Sequence, residues 1–109
     1  MYPLVRSVFP DARLEENEDS GHHTIRKDIV IDSQDVVIEL KCSRKSMSER
    51  SLSEEIASDI VHYSNKYVFF YIYDKEKVIK NPINFKDTYE TKKIEQKEIV
   101  VEIFQPIDL

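Results

Sequence analysis

Cysteine, glycine and positive net charge are all scarce in this chain. Of its 109 residues one is cysteine, Cys42, and one is glycine, Gly21. A lone cysteine excludes any disulfide within the chain. No partner spacing suggests a Cys/His pair, so Cys42 reads as a small packed or half-exposed residue rather than a nucleophile. One glycine and four prolines exclude low-complexity, collagen-like and linker-rich classes. No apolar run comes near the ~20 residues a membrane span requires. The opening MYPLVRSVFP has no secretory h-region. These features point to a reducing cytoplasm and no membrane. Lys and Arg number 16 against 21 Asp and Glu, a formal net charge of -5. That argues against sequence-blind coating of DNA, which needs a basic surface. It leaves room for a nuclease, whose acidic metal site lowers the net charge while a local basic strip holds phosphate.

What is present fits one domain with one modest core. Hydrophobic residues make up 40% and charged residues 34%, a globular balance with a heavily charged surface. No internal repeat is visible. Leu4, Val5, Val8 and Phe9 give YPLVRSVF the spacing of a very short helix, ended by Pro10 and Asp11. DARLEENEDSGHHT, residues 11–24, reads as a loop or a ragged hairpin arm. Residues 25–32 form a strand, 33–35 a turn and 36–41 a second strand. A helix follows the polar connection CSRKSMSER. Ser51 and Glu54 have capping-box spacing, and Ser48 is another candidate cap. Leu52, Ile56, Ile60 and Tyr63 repeat at helical spacing toward an end near Asn65. YVFFYIY, residues 67–73, reads as an interior strand with both faces covered, not as a stacking platform. DKEK is a turn and Asn81-Pro82 a break. Residues 83–96 have room for a short helix, and 98–104 form a last strand. A hairpin followed by a crossover helix predicts a mixed sheet of four to five strands flanked by helices, an α/β class.

The stretch DIVIDSQDVVIELK carries the chemistry. Strand side chains alternate, so Glu39 and Lys41 share one face while Val36, Ile38 and Leu40 take the other. A turn near Ser33–Asp35 brings Asp28 alongside residues 39–41. Two carboxylates and an ammonium then converge on one sheet face. Mg²⁺ takes oxygen ligands and is held by one or two carboxylates with waters and phosphate oxygens. It stabilises charge on a scissile phosphate and acidifies a bound water. A lysine beside it orients that water, or helps deprotonate it, and offsets developing charge. The spacing by itself is weak, since a cross-strand ion pair on a solvated face leaves the same pattern. Its position within apolar strands, where a core face is expected, favours the functional reading.

At this point the chain resembles the PD-(D/E)XK nucleases, and within them the DpnII/MboI-like restriction endonuclease domains. The similar text is RKDIVIDSQDVVIELKCSRKSMSERSLSEEIASDIVHY followed by FFYIYDKEKVIKNP, roughly residues 14–83. Lys27 precedes Asp28 where many members have Pro, and Lys75 follows Tyr73-Asp74 where Pro is frequent. The resemblance implies a restriction-endonuclease-like core with Asp28 and Glu39 as metal ligands and Lys41 as the catalytic lysine. The backbone carbonyl of Leu40 would be a further ligand, and Glu15 or Glu16 would complete the shell. Glu55, Asp59 and Tyr63, at i, i+4 and i+8, resemble the polar helix face that such domains turn toward the site. Arg44, Lys45 and Arg26 are placed to hold the DNA backbone. His22 and His23, around Gly21, are too few for a zinc site.

These readings give a single domain over residues 1–109. Its first helix is shorter than is usual in such domains. That suggests a piece of a larger protein with an upstream recognition or sensor domain, or a homodimer that supplies the missing cover. The expected function is Mg²⁺-dependent hydrolysis of DNA phosphodiesters, with Mn²⁺ as a substitute, in restriction or phage defence. The rivals are a non-catalytic module of the same fold that binds DNA or protein, and a toxin-like RNase.

Overall fold

The computed structural model describes residues 1–19, 24–91 and 96–107, without the side chains of residues 16–19 and 24–27. Three helices and five strands follow the order α1 (Tyr2–Val8), β1 (Arg13–Asp19), β2 (Thr24–Ile31), β3 (Val36–Cys42), α2 (Glu49–His62), β4 (Tyr67–Tyr73), α3 (Pro82–Glu90) and β5 (Glu98–Phe104). The five strands form one sheet in chain order. β1, β2 and β3 are antiparallel neighbours, and β3, β4 and β5 run parallel. The expected mixed α/β sheet is therefore present, with five strands.

Glycine scarcity leaves its mark on the turns. Asp35, Ser46, Lys77 and Gln96 all take positive φ, the left-handed region that glycine occupies most easily. Asp35 does so at the end of the short 3₁₀ turn Asp32–Gln34, between β2 and β3. Arg13 fastens this turn to β1 through two hydrogen bonds to Asp32, of 2.8 and 3.1 Å.

Two cores lie on opposite faces of the sheet. The larger gathers Val37, Val68, Phe70, Ile72, Ile99 and Val101 from β3–β5 with Leu52, Ile56 and Ile60 of α2 and Phe85 and Tyr89 of α3. Four-residue spacing puts Leu52, Ile56 and Ile60 on one stripe of α2. The smaller joins Ile29, Ile31 and Ile38 to Ala12, with Tyr2, Val5 and Phe9 of α1 packed on it. α1 is too short to cover this second face, so Leu40, Tyr73 and Phe104 remain about half exposed. β4 is thus interior as expected, but only one of its faces is fully covered.

Three local readings change. Residues 13–19 form a full strand rather than a loop or ragged arm. Leu14 is their only apolar residue, so pairing with β2 and not periodicity makes the strand. Its charges suit an edge that must resist pairing with other chains. Ser48, not Ser51, caps α2, accepting a 3.0 Å hydrogen bond from the Ser51 amide, and the helix ends at His62. Asn81-Pro82 starts α3 rather than only breaking the chain. Asn81 accepts from the Asn84 amide and Pro82 occupies the first turn, where its missing N–H costs nothing.

Candidate active site

The β-ladder brings the acidic residues into one row. Glu15 faces Asp28 across β1 and β2, and Asp28 faces Glu39 across β2 and β3. Directly opposed residues share a face, with Cβ atoms about 5 Å apart. The row continues through Phe70 and Val101, so the carboxylates occupy the polar end of the face that carries the larger core. Asp28 and Glu39 are 0% and 1% exposed. The β2–β3 pairing stops at Asp28–Glu39, and Leu40 follows immediately beyond it on β3.

α2 and its C-cap residue Tyr63 supply the next layer. The Tyr63 hydroxyl donates a 2.6 Å hydrogen bond to Asp28 Oδ2. Asp59 Oδ2 lies 2.7 Å from Lys41 Nζ, with both residues buried. Lys41 Nζ is also 3.4 Å from Glu55 Oε1 and 3.5 Å from Glu39 Oε1. Glu55 Oε2 accepts from Arg44 Nη2 at 2.8 Å. Burial pulls the Lys41 ammonium toward losing its proton. Glu39, then Asp59, then Glu55 outweigh it, and the group titrates above the usual lysine range. Lys41 is therefore held as a charged donor to these carboxylates.

Three carboxylates, Glu39, Glu55 and Asp59, lie around Lys41, Glu55 also meets Arg44, and Asp28 stands opposite Glu39. That donor chemistry fits one hard divalent cation, for which two carboxylates with waters and phosphate oxygens suffice. Among the described residues no three acidic, histidine or cysteine side chains already form a cage. The fit therefore rests on the opposed Asp28–Glu39 pair.

The other expected residues are placed as follows. Register puts Glu15, not Glu16, opposite Asp28, while Glu16 pairs with Lys27. Glu15 is exposed, 3.8 Å from Arg13, and lines a polar cavity of about 340 Å³ with Tyr63 and His62. Arg44 is half-buried and turned to Glu55, and Lys45 is exposed. The side chains of Glu16 and Arg26, and all of Gly21, His22 and His23, lie outside the described residues. Cys42 is exposed. A larger groove of about 560 Å³ between α2 and α3 contains none of the site residues.

One buried acid escaped sequence reasoning. Asp74 directly follows β4, in what reads as a plain polar turn. It is fully buried and accepts hydrogen bonds from the amides of Val78 and Ile79 and from Gln105 Nε2, each at 2.8–2.9 Å. The available signal was an Asp at a strand end, whose carboxylate readily captures amides just ahead of it.

No helix among the described residues is long and apolar enough to cross a membrane. No curated protein and no solved structure matches the chain. The sequence model described as REase_DpnII-MboI matches residues 1–106. That match spans the acidic row on β1–β3, the polar face of α2 and both parallel strands that follow, and it places this chain in the DpnII-MboI restriction endonuclease family, of PD-(D/E)XK type.

Proposed function

We propose that the protein is a divalent-metal-dependent DNA endonuclease of restriction or phage defence. The reading rests on one observation, the opposed Asp28–Glu39 pair with Lys41 on the same face. Mg²⁺, or Mn²⁺ in its place, would neutralise charge on the scissile phosphate and acidify a water. Asp28 and Glu39 are the residues to hold it, with the Leu40 carbonyl and Glu15 as further oxygen donors. Tyr63 fixes the Asp28 carboxylate, as a second layer commonly does for ligands. Asp59 and Glu55 keep Lys41 charged and beside Glu39. Its ammonium donates to the attacking water or a phosphate oxygen and offsets the charge that grows there. Lys45, and Arg26 on β2, give positioning contacts to the DNA backbone, and Arg44 does so through its exposed part.

The near-complete burial of Asp28 and Glu39 favours a second reading, an inactive module that keeps the nuclease fold. Cleavage of plasmid and single-stranded DNA with Mg²⁺ or Mn²⁺, beside Lys41→Ala, decides between them. Cleavage by the wild type alone is expected. A folded wild type that cuts nothing would establish the module, and equal cleavage by both would remove Lys41 from the reaction.

A further inference from the structure

Charge is distributed unevenly along the chain. Residues 43–48 and 74–80 contain five cations, Arg44, Lys45, Lys75, Lys77 and Lys80, and two acids, Asp74 and Glu76. The rest of the chain then holds 11 cations against 19 acids. β3 and β4 are parallel with Cys42 beside Tyr73, so both segments leave the sheet side by side at one end. Lys41, two residues before the first segment, marks that end as the one nearest the active site. Lys45, Lys75, Lys77 and Lys80 are exposed there.

These cations stand on a fixed frame. The Ser43 amide donates to the Tyr73 carbonyl at 3.1 Å, and Ser43 Oγ accepts from the Glu76 amide at 2.9 Å. The Asp74 amide donates to the Phe104 carbonyl at 2.7 Å, which adds the end of β5. The Asp74 carboxylate turns inward and is spent on Val78, Ile79 and Gln105. Met47 packs against the larger core from the first segment, and Ile79 is buried in it from the second. An ordinary solvated charge run needs no such anchoring. A surface that meets a polyanion gains from it, because little side-chain and loop ordering remains for binding.

We propose that the 43–48 and 74–80 segments form one cradle for the phosphate backbone of duplex DNA beyond the cleaved bond. Lys75 and Lys80 extend the grip begun by Lys45. This rests on the nuclease reading and adds where the flanking duplex lies. Contacts of this kind position the duplex without reading its sequence.

The test is fluorescence anisotropy of a labelled 30-base-pair duplex in EDTA, across a salt series, with circular dichroism confirming folding. The variants are Lys75→Gln/Lys80→Gln and, as a control at the opposite end of β4, Lys66→Ala. For the double variant, weaker binding on unrelated sequences and a salt slope shallower by about 2 are expected. Lys66→Ala should bind as the wild type does. An unchanged slope in the double variant, an equal loss in Lys66→Ala, or no duplex binding by the wild type overturns the cradle. The metal-dependent cleavage assay reports separately on the nuclease reading, so failure of one leaves the other measurable.

Discussion

Two buried carboxylate centres in this small domain are built on opposite plans. Around Asp74, donors match the acid: two backbone amides and Gln105 converge on one carboxylate. Burial alone would raise its titration point. The bonds from Gln105, Ile79, Val78 and Ser43 outweigh that and hold it below the usual carboxylate range. Around Lys41 one ammonium is shared by three carboxylates, Asp59, Glu55 and Glu39. The first plan closes its charge within the fold, as a structural acid should. The second gathers several carboxylates around one ammonium, the kind of oxygen-donor set the proposed divalent cation would use.

The contrast breaks most visibly at Glu39. Glu39→Gln keeps the shape and removes one of the crowded charges. Cleavage should fall at least about 100-fold, because stabilisation of the phosphate charge is lost. Thermal stability in metal-free buffer should stay level or rise, since the substitution relieves like-charge crowding. A large drop in Tm would show that Glu39 is structural after all.

Asp74→Ala should behave the other way. It leaves the Val78 and Ile79 amides and Gln105 without their acceptor, a loss of roughly 3 kcal/mol. For a domain of this size that lowers Tm by roughly 15 °C. A Tm within a few degrees of wild type would refute the account of this centre.

Tyr63→Phe probes the link between the acidic row and the helix. Removing the hydroxyl frees Asp28 from its 2.6 Å partner. Mg²⁺ affinity measured by calorimetry should weaken about 10- to 100-fold. Unaltered affinity would detach Tyr63 from the metal ligands.

Acid sharpens the comparison least but most cheaply. Asp74 is held below its unfolded value, so its stabilisation is complete above the ordinary carboxylate pKa of about 3.9. It is lost as pH falls through the lower folded value. The stability gap between wild type and Asp74→Asn should therefore be constant near neutrality and narrow below about pH 4. A gap that closes between pH 5 and 7 would contradict the direction of the shift.

The two centres were not equally legible in the sequence. Asp28, Glu39 and Lys41 could be placed on one face because strand alternation and a short turn are local rules, and the register opposes Asp28 to Glu39. Glu55, Asp59 and Tyr63 followed from helical spacing. What spacing could not supply was the division of labour on that helix face: Asp59 and Glu55 turn to Lys41, but Tyr63 turns to Asp28. Nor could it choose between Glu15 and Glu16, because β1 has too little apolar periodicity to announce its own register. Asp74 looked like any acid in a turn, since its partners lie at residues 78, 79 and 105.

By itself the sequence determined the elements with strong periodicity: β2, β3, α2, β4 and β5, and the α/β class they imply. Local backbone preference and the alternation of apolar with polar side chains decide these before any long-range contact forms. The tertiary structure alone decided β1, the uneven cover of the sheet and the burial of the two acidic centres. Each depends on partners distant in the chain: β1 on β2, Asp74 on Gln105, Lys41 on Asp59. Charge raises the stakes of such pairings. A carboxylate in water is ordinary, but the same group buried is stable only where donors or cations, brought by the fold, meet it.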